Sequence, residues 1–162
     1  MYLMYTPNNN PVYTIMMHVA AVQIIKQHEG LRLKSYPDSG GRWTIGYGHC
    51  GPEVQPGLTW NELQANEALE ADMAKAEAAI KSVVKVPLNE NQLSALISFT
   101  FNVGTFNFAR SGILKLLNRG DYKAAMEHLL LWNKIGSYVS PGLTKRRQDE
   151  KALFETKDVT LP

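Results

Sequence analysis

Hydrophobic positions along the chain change period twice. From Val19 to Glu29, Val22, Ile25 and their neighbours recur at helical spacing, and Gly30 is placed to end that helix. Leu31 to Tyr36 then alternates, the turn-forming run Pro37-Asp38-Ser39-Gly40-Gly41 follows, and Arg42 to Tyr47 alternates again. This is a hairpin pattern, with Trp43, Thr44, Ile45 and Tyr47 giving its second strand β-branched and aromatic residues. Gly46 and Gly48 point to close backbone approach or irregular dihedrals. Beyond the loop Gly51 to Gly57, helical spacing returns at Leu63, Leu69, Met73, Ala76, Ile80 and Val83. Thr59 and Glu62 have the spacing of a capping box opening this long helix, and Pro87 bars its continuation. A second cap, Asn89 with Gln92, opens a helix carrying Leu93, Leu96, Ile97, Thr100 and Phe101 on one face, and Gly104 punctuates it. One helix is expected over about Phe108 to Leu117 and another after Asp121. A last one starts at Ser140-Pro141 and ends near Thr156.

One helix, a small β region, a long helix and then several helices make an α+β fold with its strands segregated near the N-terminus. The expected organisation is an arm or extension over residues 1–15, then one domain over 16–162. That domain would have two lobes, about 16–60 and 85–162, linked by a helix of about 60–84. The arm reading rests on Pro7, Asn8, Asn9, Asn10 and Pro11. The longest apolar run, Thr14 to Ile25, is broken by His18 and Gln23 and falls short of the roughly 18–20 residues of a membrane helix. With no Lys or Arg before it, neither a signal peptide nor a signal-anchor is expected, and no stable membrane insertion.

Charge and cysteine content narrow the classes of function. The 162 residues carry 17 basic and 15 acidic side chains, a net charge of +2. A DNA-wrapping protein is excluded on that balance, and no nucleic-acid partner is expected. Residues 61–95 have three basic against six acidic residues, and residues 110–151 have nine against four. The basic part is either a solvated face or a surface that meets an anionic polymer. The single Cys50 cannot form an internal disulfide.

Glu29 ends the first helix, Asp38 sits in the hairpin turn and Thr44 lies on the returning strand, so the fold-back can bring all three to one space. Two carboxylates on opposite walls of a cleft are what glycosidic hydrolysis needs: one gives a proton to the leaving oxygen, the other is charged and activates water. The negative end of a helix dipole favours the protonated form at Glu29, the candidate acid. A polar turn keeps Asp38 ionised, and the Thr44 hydroxyl can hold a water beside it.

The runs His28-Glu29-Gly30-Leu31-Arg32, Tyr36-Pro37-Asp38 and Trp43-Thr44-Ile45-Gly46-Tyr47-Gly48-His49 resemble the phage-type lysozymes and endolysins, glycoside hydrolase family 24. Glu, eight residues, Asp, five residues, Thr is that family's catalytic spacing. The resemblance continues through Ala95 to Phe99, Phe101 to Gly104, and Gly142-Leu143 with Arg146, Arg147 and Glu150, and it covers about residues 19–156. It implies a lysozyme-like fold, with a small N-terminal β region and a mainly helical C-terminal lobe joined by a long helix. It also implies an endo-acting muramidase cutting the β-1,4 bond between N-acetylmuramic acid and N-acetylglucosamine of peptidoglycan. Glu29 would be the acid, and Asp38 with Thr44 would hold the water. Inversion would follow, with carboxyls roughly 6.5–9.5 Å apart.

The same resemblance implies an ion pair between His49 and Asp72, and places Phe101, Asn102, Ser111 and Cys50 along the cleft. Cys50 departs from the apolar or hydroxyl residue expected there. Trp43, Trp60 and Trp132 are either core or sugar-facing. Arg146 and Arg147 are expected on a solvated, basic final helix suited to an anionic envelope, with one of them able to pair with Glu29. No cofactor and no metal is implied. A monomer is expected, held in the host cytoplasm until a separate holin opens the membrane, and then acting on the cell wall for host lysis. Two rivals remain: a lytic transglycosylase, which needs neither Asp38 nor Thr44, and a wall-binding module that kept only the fold.

Overall fold

A computed structural model describes residues 18–157. The arm expected over residues 1–15 lies outside the described residues. The first helix, α1, spans Val19–Glu29, and the Gly30 N–H closes it on the Lys26 carbonyl at 3.1 Å. The hairpin follows as β1 (Arg32–Pro37) and β2 (Trp43–Gly46), antiparallel, with Tyr36 opposite Thr44 and Arg32 opposite Gly46. The register shifts between those two pairs, so β1 carries a bulge.

A third extended segment was not expected. Ser35 donates to the Leu58 carbonyl at 2.9 Å and Trp60 to the Leu33 carbonyl at 2.8 Å, with Lys34 bridged to Thr59. This pairing corrects the expected cap at Thr59 and Glu62. Thr59 and Trp60 are held against β1, so the helix starts two residues later with Asn61 and Gln64 forming the reciprocal capping box.

The long helix α2 runs Glu62–Val83, 22 residues and about 33 Å. Ala65, Leu69, Met73, Ala76 and Ile80 form its buried stripe. Leu63 was expected on that stripe but is 57% exposed, because its position falls some 120° round the helix from Leu69. Next come α3 (Glu90–Val103), opened by Asn89 and Gln92, α4 (Thr105–Arg110), α5 (Gly112–Asn118) and α6 (Tyr122–Leu130). The single helix expected over Phe108 to Leu117 is thus two. Ser111 is extended, and its hydroxyl accepts from the Leu114 N–H at 3.2 Å, starting α5 afresh.

After α6 comes a two-residue hairpin, β3 (Lys134–Ile135) and β4 (Tyr138–Val139), too short for its alternation to register in the sequence. The final helix, α7, is Pro141–Glu155. The core centres on α3, whose residues Ser94 to Thr100 are buried all round by α1, α2, α4 and α7. Phe99 meets Phe108 and Trp132 edge-on, at ring distances of 6.4 and 5.5 Å. Among the described residues no helix is long and apolar enough to cross a membrane.

Candidate active site

Glu29 is the last residue of α1, and two elements fix its carboxylate. The first is the tight turn after β2, where Ile45 and His49 exchange backbone hydrogen bonds at 2.8 and 2.9 Å. Gly48 sits in that turn with φ +75°, and a Cβ on it would lie 2.7 Å from Glu29 Oε2. Only glycine lets the backbone come that close. The second element is α7, from which Arg146 Nη1 donates to Glu29 Oε1 at 2.6 Å.

Arg146 is only 3% exposed and Arg147 and Glu150 are fully buried, which corrects the expectation of a solvated final helix. The charges are turned inward because they form a closed set: Glu29 and Glu150 against Arg146 and Arg147. Arg146 Nε reaches Glu150 Oε1 at 3.2 Å and Arg147 Nε lies 3.0 Å from Glu150 Oε2. The Ser98 hydroxyl donates to Glu150 at 2.8 Å, and Arg147 stacks over the Phe99 ring at 4.8 Å. Burial lowers the Arg147 pKa to about 10, still a cation at neutral pH. Burial likewise raises that of Glu150, against the pull of Arg147 and Arg146. Arg147 Nη2 also donates to Asn102 Oδ1 at 2.7 Å, tying the end of α3 to this set.

Asp38 stands in a different setting. Its Oδ1 accepts the backbone N–H of Gly40 at 2.8 Å and of Arg42 at 2.9 Å. Its Oδ2 faces Arg42 Nε and Nη2, each at 3.0 Å. The Arg42 backbone N–H first, then the guanidinium and the Gly40 N–H, hold this carboxyl below the usual range despite some desolvation. Thr44 is buried and its hydroxyl donates to the Arg42 carbonyl at 3.1 Å. Tyr36 lies opposite Thr44 on β1. Burial raises its phenol pKa, and the charges of Glu29 and Asp38 push it further, against Arg32.

His49 stands between two acids. Nδ1 is 2.6 Å from Asp72 Oδ2 and Nε2 is 2.6 Å from Glu53 Oε1, with Trp60 5.4 Å away ring to ring. A neutral imidazole has one N–H, so two carboxylates favour the imidazolium. Burial opposes the charged form, but Asp72 and Glu53 outweigh it and the His49 pKa is raised.

The other expected residues are scattered. Phe101 is partly buried against the core, Asn102 is exposed beyond its bond from Arg147, and Cys50 is exposed with a free thiol. Ser111 opens α5. It is 3% exposed, and its hydroxyl donates to the Phe108 carbonyl at 2.7 Å while capping α5. Trp132 belongs to the core. The sequence reading missed Arg42, whose only signal was a cation four residues after Asp38. It also missed Glu150 as the counter-charge of two buried arginines.

Residues 26–150 match the family model described as phage lysozyme. The endolysin of Acyrthosiphon pisum secondary endosymbiont phage 1 is 43% identical over 146 residues, covering 86% of this chain and 99% of that protein. The SAR-endolysin of bacteriophage PS119 is 37% identical over 123 residues, covering 76% of this chain and 74% of its own. Among solved structures, the muramidase domain of SpmX from Asticaccaulis excentricus superposes with a TM-score of 0.79 at 35% identity, covering 85% of this chain and 96% of that one.

Proposed function

The chain belongs to the phage lysozyme family and is an endolysin-type muramidase acting on peptidoglycan, and on that premise we propose that Glu29 and the Asp38–Thr44 pair are its catalytic groups. Glu29 is the general acid, protonating the glycosidic oxygen as the N-acetylmuramic acid C1–O bond breaks. Asp38 remains ionised and accepts a hydrogen bond from the attacking water. The Thr44 hydroxyl already donates to the Arg42 carbonyl, so its oxygen is left to accept the water's second hydrogen. The water then attacks C1 from the face opposite the leaving group, its proton passing to Asp38, and the anomeric centre inverts.

The observation that carries this reading is the contrast of settings. One carboxylate lies at a helix end against a glycine backbone with Arg146 on its Oε1, and the other is held ionised in a turn by two backbone amides and Arg42. His49 with Asp72 and Glu53 braces the turn that holds Gly48 against Glu29. Phe101 and Asn102 at the end of α3, with Cys50 at the rim, contribute the sugar-facing surface. The hairpin region and the α3–α7 cluster act as two lobes linked by α2.

The test is digestion of purified peptidoglycan by the wild type and by Glu29→Gln, with products identified by mass. Hydrolysis adds one water, whereas a transglycosylase leaves an anhydro sugar at the parent mass. Loss of activity by about 10³-fold or more with an unchanged melting temperature is expected for Glu29→Gln. A fully active variant would refute the assignment.

We propose further that the enzyme is a monomer, waits in the host cytoplasm and depends on a separate holin. Expressing the full chain in a host with and without a holin tests this. Lysis without the holin would overturn it and point to self-export, the alternative that the SAR-endolysin relatives keep in view.

A further inference from the structure

We propose that Arg42 is a positioning residue for the hydrolytic half-site, fixing the plane of the Asp38 carboxylate and the direction of the Thr44 hydroxyl. The inference rests on the reading of Asp38 and Thr44 given above. No other described residue bonds to both. The Arg42 backbone N–H meets Asp38 Oδ1 and its carbonyl accepts from the Asp38 N–H at 2.8 Å. That same carbonyl accepts from Thr44 Oγ1 at 3.1 Å. The guanidinium then holds Asp38 Oδ2 through Nε and Nη2. Oδ1 is anchored by two backbone amides, so a second anchor on Oδ2 removes the remaining rotation of the carboxylate.

This pair is not explained by stability. The Arg42 side chain is 73% exposed, and an exposed ion pair across a turn contributes little to folding. A water held between Asp38 and Thr44 must instead be aimed at one carbon, and small errors in such an aim cost rate heavily. The charged group bonded to Asp38 is Arg42 on its own turn, and the charges of Asp38 and Glu29 both act on the Tyr36 phenol on β1.

The backbone contacts of residue 42 survive any side-chain replacement, so Arg42→Ala isolates the guanidinium. The experiment measures kcat, KM and their pH profiles on peptidoglycan for wild type, Arg42→Ala and Arg42→Lys at one ionic strength, with melting temperatures alongside. In Arg42→Ala, kcat is expected to fall about tenfold with KM and melting temperature nearly unchanged. Its acid limb should move to higher pH, because Asp38 loses the cation that helps keep it ionised. The move is partial, since the two amides remain.

Arg42→Lys keeps the charge without the two-point contact, so it should restore the acid limb more fully than kcat. In an Asp38→Asn background, Arg42→Ala should cost almost nothing more. A wild-type kcat and acid limb in Arg42→Ala overturns the inference. So does a loss matched by a fall in melting temperature, or one that persists undiminished in the Asp38→Asn background. If Glu29→Gln and Asp38→Asn are themselves active, the reading of the site has failed. If they are inactive and Arg42→Ala is silent, only the role of Arg42 has failed.

Discussion

Two arginine–carboxylate contacts flank the site, and they are chemically alike but physically opposite. Arg146 meets Glu29 from a set of buried charges, while Arg42 meets Asp38 in an exposed turn. Away from water, each charge in the first set needs its partner, because an uncompensated ion there costs several kcal/mol. In the turn, the Arg42 guanidinium is 73% exposed, so solvent screens it and can replace it as a partner. The buried set therefore binds α7 to α1 and α3 and fixes where Glu29 stands. The exposed pair is free to be tuned for chemistry with little consequence for folding.

The largest effect that tests this contrast is on the buried side. Arg147→Ala leaves Glu150 buried beside Arg146 alone and is expected to destabilise the protein by about 3–5 kcal/mol, read by urea unfolding. Replacing the pair together, Arg147→Met with Glu150→Leu, removes both charges at similar volume and should lose much less than the single substitution. If the double variant falls as far as Arg147→Ala, the set stabilises through its ion pairs and not merely through compensation. In the turn, by contrast, the Arg42→Ala measurement should move rate and leave stability nearly alone.

The sequence and the structure agree best where one local rule decides the outcome. Gly30, Asn89 with Gln92, Asp121 and Ser140-Pro141 each mark a helix boundary by satisfying particular backbone groups, and the ends fall there. Thr59 misled because a long-range strand pairing with Lys34 outcompeted a local cap. Ser111 misled because a hydroxyl in an apolar run looks like an interruption of one helix, although it opens a second. The spacing of Glu29, Asp38 and Thr44 was legible as a family pattern. The polarity of α7 was not, because burying Arg146, Arg147 and Glu150 depends on partners from α1 and α3 that lie far away in the chain.

His49 lies between the two extremes and gives the smallest predicted effect, with its own sign. Its ring is 12% exposed, Asp72 is 20% exposed and Glu53 is 56% exposed, so the triad is shielded on one side only. Neither arginine loses its charge in the ordinary pH range, but His49 does. Its pKa is raised in the folded protein, so it favours folding fully below the unfolded value of about 6.5. The contribution is lost as pH rises through the higher folded value. Asp72→Asn should therefore be less stable than the wild type at pH 5–6, by no more than about 1 kcal/mol given the solvent on the Glu53 side. The gap between the two should close as pH is raised toward 9, and the His49 titration followed by NMR should move to lower pH in the variant. A gap that stays constant from pH 5 to 9, or a His49 titration that does not move, would mean the ring is held by packing against Trp60. The triad would then resemble neither the buried set nor the turn.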